Sequence, residues 1–219
     1  MLWRNNSLSI VLGLLFLGSM TGQALAGWMD YNSEASVHGQ PAIELTAYLV
    51  SGHFWEATGE NWESEFLQMA AFVLLTTFLH QKGSAESKRI GTIEEVDLDP
   101  RRFAHLPDAP GPVKRGGAVL LLYENSLGLT FGVLFLVSIV IHAVGGAVEY
   151  NNDLVSHGQR AVTTAEYVRS SRFWFESFQN WQSEFLSLAG MVVGTIFLRQ
   201  RGSAESKPVF AAHEETGRA

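Results

Sequence analysis

Two glutamates occupy matching places in the chain, each just before an apolar run. Glu65 lies in the segment NWESEFL at residues 61–67, and Glu184 lies 119 residues later in NWQSEFL at 180–186. A carboxylate inside a membrane helix can relay protons or bind a cation. Alternatively, Asn61 caps the helix and the glutamate is a first-turn acid stabilised by the helix macrodipole. The structural alternative is favoured.

The same offset relates two pairs of residues that could bind a ligand. His38 and His157, each followed by Gly-Gln, would bind a metal if brought together, although no metal-binding spacing supports them. A surface histidine with a local hydrogen bond is the favoured interpretation. Gln23 and His142 match inside two apolar blocks, where a polar side chain usually bonds a neighbouring helix.

Aromatic and small residues indicate contacts with lipid or with other helices. Four tryptophans are predicted to anchor at the membrane interface or to contact a partner: Trp55, Trp62, Trp174 and Trp181. GxxxG pairs let membrane helices approach closely, either on each other or on a partner: Gly18 and Gly22, Gly128 and Gly132, Gly190 and Gly194.

The chain consists of one sequence unit that is repeated in tandem. Matches at the same offset recur without a gap from residue 2 to residue 88, and a fixed period indicates a repeat architecture. The segment GSAESK is identical at 83–88 and 202–207. Either it contacts something or it has not diverged since duplication, and both explanations stay open.

Composition favours a membrane protein and excludes several classes. Hydrophobic residues make up 47% of the chain, charged residues 17%, and the apolar residues fall in four blocks. The formal charge of −7 argues against nucleic acid as a partner, because a binder needs a basic face. The absence of cysteine excludes disulfides and thiolate ligands.

Four membrane spans are predicted, at about residues 7–28, 62–81, 126–148 and 181–199, since about 20 residues cross a bilayer. The first block also resembles a secretory signal peptide. Its counterpart at 126–148 lies in mid-chain, which favours an uncleaved helix. A short amphipathic interfacial helix is expected at 41–51 in the outer connection of the first repeat.

The predicted divisions are a first two-helix repeat at 1–88, a linker rich in proline and charge at 89–120, a second repeat at 121–207 and a flexible tail at 208–219. Lys and Arg concentrate on the linker side, so both termini are predicted to be cytoplasmic. The fold class is therefore an all-α membrane protein. Its four helices form two tandem parallel hairpins, each with an interfacial helix in its outer connection.

The repeated NWxSEFL element, with Phe-Trp before it and a glycine-bounded polar stop after the helix, resembles a family of uncharacterised bacterial inner-membrane proteins catalogued as a domain of unknown function. The resemblance implies a multi-pass protein of the bacterial inner membrane. It implies no activity, cofactor or catalytic residue.

Two functions follow from these patterns. The first is a non-enzymatic scaffold or accessory subunit that associates with itself or with another membrane protein. The second is a small channel or transporter, either monomeric or dimeric. Its path would be lined by Glu65 and Glu184 and by the residues at the level of Gln23 and His142. An enzyme ranks third, because no acid–base or metal set is dense enough. No cofactor is predicted.

Overall fold

A computed structural model describes residues 2–217, and every regular element among them is helical. Four helices are long: α1 (Leu2–Val37), α3 (Gly52–Phe78), α6 (Ser126–Ser156) and α8 (Ser171–Phe197). Short helices lie between them: α2 (Leu45–Tyr48), α4 (Gly111–Arg115), α5 (Gly117–Glu124) and α7 (Thr164–Val168). Two 3₁₀ turns, Glu95–Asp97 and Pro100–Phe103, lie in the linker.

Two of the long helices are long and apolar enough to cross a membrane, namely Trp3–Val37 and Ser126–Ser156. They contain the first and third predicted spans. Helices α3 and α8 overlap the other two predicted spans but end two or three residues before them, at Phe78 and Phe197, and polar residues occupy their first halves. Spans at α3 and α8 therefore remain a prediction.

The beginnings of α3 and α8 differ from the prediction. The Ser51 hydroxyl accepts a hydrogen bond from the Phe54 N–H at 3.2 Å, and Ser170 does the same for Phe173 at 3.4 Å. These serines begin the helices about ten residues before Asn61 and Asn180, in the manner of N-caps. The prediction that Asn61 caps the helix is therefore wrong.

The outer connections are shorter than predicted for the same reason. The helix expected at 41–51 is reduced to the four residues of α2, and α7 is its counterpart in the second half. Helix α7 has a capping box, in which the Thr163 hydroxyl accepts from the Glu166 N–H and the Glu166 carboxylate accepts from the Thr163 N–H. Whether either helix lies at a membrane interface stays a prediction.

The chain divides into two compact units. Unit 1 comprises the chain up to Glu60 together with Val140–Trp174, and unit 2 comprises Asn61–Ile139 together with the chain from Phe175 onward. Each unit draws on both halves of the sequence. The repeat boundaries at 88 and 121 are not tested by this division and stay a prediction.

In unit 1, helices α3 and α6 approach closely at glycines. A Cβ on Gly59 would lie 2.5 Å from the His142 backbone nitrogen, and one on Gly145 would lie 2.6 Å from that of Glu56. A Cβ on Gly52 would lie 2.9 Å from the Gly145 carbonyl oxygen. Such distances leave no room for a side chain, so these glycines permit the packing.

Two buried tyrosines occupy matching places in unit 1. Tyr48 covers Gly27 and Tyr167 covers Gly146, and each hydroxyl lies too close to the glycine to leave room for a Cβ. The tyrosines are 2% and 0% exposed. The structure thus places the same tyrosine–glycine pair at positions 119 residues apart.

Matching asparagines attach the outer connections to the long helices. The Asn32 side chain donates to the Ile43 carbonyl at 3.0 Å and accepts from its N–H at 2.8 Å. Asn151 makes the same two bonds with Val162, at 2.9 and 2.7 Å. The repeated Tyr-Asn pairs in the sequence therefore have a structural explanation.

Unit 2 joins α3 to α8 through polar side chains. The Trp181 indole N–H donates to the Glu63 carboxylate at 3.0 Å, and the Gln68 amide donates to the Ser187 hydroxyl at 2.9 Å. The second contact is further along both helices than the first, so α3 and α8 run parallel where they touch. Gln68 and Ser187 also occupy matching positions, 119 residues apart.

Candidate functional site

The two predicted histidines line one outer cleft in unit 1. The cleft has a volume of about 460 Å³ and is formed by the ends of α1 and α6 with the residues that follow. His38 and His157 share it with carboxylates from both helices: Glu34, Glu149 and Asp153. The structure therefore brings the matched imidazoles to a common, acidic surface.

Each histidine makes a hydrogen bond to the backbone four residues before it. His38 Nδ1 lies 3.0 Å from the Glu34 carbonyl oxygen, and His157 Nδ1 lies 2.9 Å from that of Asp153. Because a carbonyl oxygen only accepts, Nδ1 is the donor in both bonds. No group of three potential ligands in residues 2–217 has the arrangement needed for a metal ion.

The His-Gly-Gln motif also has a structural role, because it ends a long helix. Gly39 and Gly158 adopt positive φ values of 66° and 70°. The next residue, Gln40 or Gln159, donates its N–H to a carbonyl five residues back at 2.8 Å. This is the Schellman pattern, which favours glycine at the position that follows the end of a helix.

Gln23 and His142 both lie in unit 1, in different surroundings. The Gln23 amide donates to the Thr58 hydroxyl on α3 at 3.1 Å. His142 is completely buried, and its ring stacks on Phe173 with the centroids 4.6 Å apart. Neither residue lines the outer cleft.

Glu65 and Glu184 lie in the middle of their helices. Each is 13 residues from the start of a 27-residue helix, or about 20 Å along it at 1.5 Å per residue. The two carboxylates interact electrostatically. The interpretation of these residues as first-turn acids is therefore wrong, because the helices begin earlier than predicted.

Glu63 is a polar residue that the sequence analysis missed. Its side chain is completely buried, and its carboxylate accepts from Trp181. The matching position carries Gln182, which is exposed. The asymmetric Glu/Gln pair inside an otherwise matching motif was the available signal.

The tryptophans predicted as anchors divide into two groups. Trp55 and Trp174 are both 39% exposed, and each packs edge-on against the preceding phenylalanine at 5.5 and 5.4 Å. Trp181 contacts Glu63 and also the rings of Phe135 and Phe178. Trp62 is half-buried.

The predicted GxxxG glycines are not where the chain packs on itself. A Cβ on Gly18, Gly22, Gly132 or Gly190 would meet nothing within 4 Å. Gly128 would make only ordinary contacts with Val73 and Leu74 at 3.7 Å, and Gly194 one with Leu198, the residue after the end of its helix. The alternative that these glycines pack on a partner stays a prediction.

The two GSAESK segments form the same turn. Gly83 and Gly202 have φ values of 88° and 83°. In each copy the first serine hydroxyl accepts from the glutamate N–H at 3.1 Å, and the second accepts at 2.9 Å from a glutamine N–H six residues back. These bonds explain why both serines recur.

The final lysine of each turn binds the chain that follows it. Lys88 pairs with Asp97 at 2.6 Å. Lys207 is 1% exposed and donates to four carbonyl oxygens: Gly83 at 2.5 Å, Glu215 at 2.8 Å, His213 at 3.1 Å and Ala212 at 3.2 Å. Burial lowers the pKa of the Lys207 ammonium; nearby Arg199 lowers it further, and Glu215 opposes the shift.

The described part of the predicted flexible tail makes further bonds to the first GSAESK turn. The Gly83 N–H donates to the Thr216 hydroxyl at 2.8 Å, and the Gly217 N–H donates to the Ser84 carbonyl at 2.9 Å. Ser84 also bonds Thr195 near the end of α8 at 3.1 Å. The flexibility of 208–219 stays a prediction, and these contacts oppose it for 208–217.

The fold and these polar contacts define an all-helical protein with two helices able to cross a membrane by length and composition. The chain belongs to the family described as a domain of unknown function, DUF6766, which matches residues 1–218. No match is found among curated proteins or among solved structures.

Proposed function

We propose that the chain is a non-enzymatic scaffold or accessory subunit of an assembly in the bacterial inner membrane. It crosses the membrane four times as two parallel hairpins and keeps both termini in the cytoplasm. The parallel sense of the contacts Glu63–Trp181 and Gln68–Ser187 supports this arrangement. Recurrence of the Tyr–Gly and Asn contacts at matching positions supports the duplication.

One observation carries the scaffold function: α1 offers an apolar surface that the chain leaves uncovered. None of its most apolar 18-residue window is buried inside the chain. Gly18 and Gly22 lie in this helix with open space beside them. In a bilayer, close packing at small residues is a main source of helix association, so this face suits a second membrane helix.

The test replaces both glycines, as Gly18→Leu with Gly22→Leu, and compares the assembly with that of wild type by cross-linking in native membranes. Gly13→Leu is the control, because Gly13 also has open space but lies roughly 140° around the helix from Gly18. We expect the double variant to lose the cross-linked species and the control to keep it. A wild-type chain that remains a lone monomer contradicts the proposal.

A second candidate, a channel or transporter, is favoured by Glu65 and Glu184. They occupy matching positions and their carboxylates interact electrostatically, as ionisable groups on an ion or proton pathway do. The channel candidate is tested by measuring the flux of protons and alkali cations into proteoliposomes. The test variant is Glu65→Gln/Glu184→Gln, and the control variant is Glu44→Gln. Flux that is lost only in the double variant supports this candidate, and no flux in wild type removes it.

A further inference from the structure

A groove in unit 2 combines an apolar wall with a charged wall. It has a volume of about 750 Å³ and is lined by the last turns of α3, the end of α5 and the first turn of α6. Residues 85–88 and three residues of the linker, Glu94, Val96 and Asp97, complete the lining. This volume lies in the range of ordinary ligand sites, about 300–1,000 Å³.

The apolar wall comes from both helices. Leu74 of α3 and Leu127 of α6 line it and are 55% and 59% exposed. Helix α6 is one of the two that could cross a membrane, and Leu127 is its second residue. The groove therefore lies where that helix would pass from water into lipid.

The charged wall carries one cation and several carboxylates. Lys88 gives one of its three N–H groups to Asp97, which leaves donors for another acceptor. Glu124 lines the same groove and is exposed, and its carboxylate makes no hydrogen bond or ion pair within residues 2–217. Glu94 and Asp97 add negative charge.

We propose that this groove binds a phospholipid with a primary-amine headgroup, of the phosphatidylethanolamine type. Lys88 binds the phosphate, Glu124 accepts from the ammonium, and an acyl chain lies along Leu74 and Leu127. An anionic glycerol headgroup has no ammonium and would meet the carboxylates. A choline headgroup has the charge but no N–H to donate. The inference rests on the proposed membrane location.

The test is native mass spectrometry of the full chain released from nanodiscs that contain equal amounts of ethanolamine, choline and glycerol phospholipids with identical acyl chains. We expect wild type to retain the ethanolamine lipid preferentially. Glu124→Gln should lower that retention about tenfold, as for one hydrogen bond to a charged group. Glu95→Gln, the same charge change outside the groove, should not.

A second pair of variants tests the apolar wall. A leucine at Gly128 would extend from a Cβ already 3.7 Å from Leu74 and Val73, so Gly128→Leu should reduce retention of every phospholipid. Gly132→Leu, one turn further along the helix with open space around it, should not.

Equal retention of ethanolamine and glycerol lipids overturns the inference, as does a Glu124→Gln variant that behaves like Glu95→Gln. Equal retention of choline and ethanolamine lipids overturns the proposal that Glu124 accepts a hydrogen bond from a primary ammonium group. If alkaline carbonate releases the chain from membranes, the proposed function fails too. If the chain stays embedded without headgroup preference, this inference alone fails.

Discussion

At the scale of single residues, the best-defined feature is the pair of glycines beneath buried tyrosines. In Gly27→Ala and Gly146→Ala the new methyl group would clash with the Tyr48 or Tyr167 hydroxyl. We expect each variant to lower the free energy of unfolding by about 1–3 kcal/mol, as overpacking does. Gly22→Ala is the control and should be neutral or stabilising, because its Cβ meets open space. Thermal unfolding in detergent measures all three, and equal melting temperatures would contradict the packing.

Lys207 gives a second prediction at this scale. Lys207→Met removes the donor to four carbonyl oxygens, and buried carbonyls left unpaired cost about 1–3 kcal/mol each. We expect amide hydrogen exchange in 208–217 to rise strongly while α3 stays protected. Lys114→Met is the control, because this exposed lysine bonds one carbonyl, that of Pro107. Unchanged protection of the tail in Lys207→Met would show that the lysine does not hold it.

Matching positions in the sequence identify most of the residues that recur but few of their roles. Matching positions singled out His38 and His157 as a pair, and both line one cleft. The same matching could not show that Lys207 is buried, because its partners are backbone carbonyls brought together by the folded tail. It also missed Glu63, whose partner Trp181 is far away in the sequence.

At the scale of elements, the capping box of α7 links stability to pH. The Thr163 N–H and hydroxyl, with a smaller contribution from Arg160, hold the pKa of the Glu166 carboxyl below its usual value of 4.5. The stabilising contribution is therefore present above that value and is lost as pH falls through the lower, folded-state pKa. We expect the melting temperature of wild type to fall more steeply in this acidic range than that of Glu166→Gln. Glu44→Gln is the control, because Glu44 precedes α2 without a side-chain cap bond; a wild-type-like profile for Glu166→Gln would contradict the assignment.

Apolar blocks located all four long helices but not where they begin. Helices α3 and α8 begin in aromatic and polar sequence, where hydropathy does not indicate the start of a helix. A serine N-cap determines where each helix begins. Placing the start at Asn61 made Glu65 an end residue, whereas it lies at the middle of α3. An error of ten residues at one boundary thus changed the interpretation of a candidate site.

At the scale of the whole molecule, the all-helical class and the two candidate spans agree with the apolar pattern of the sequence. Asn32 and Asn151, 119 residues apart, make matching contacts, because equal local sequences fold alike. The repeat could not predict where α3 and α6 approach, since Gly59 and Gly145 have no matching glycines. Those contacts depend on the individual residues of each half.

The most direct test of the proposed architecture uses the absence of cysteine in the chain. Single cysteines at three exposed positions, Gln40→Cys, Gln159→Cys and Glu95→Cys, are treated in intact cells with a maleimide that cannot cross the inner membrane. Two parallel hairpins predict labelling at 40 and 159, and labelling at 95 only after the membrane is permeabilised. Labelling of 40 and 159 from opposite sides, or of all three from the same side, would contradict the account.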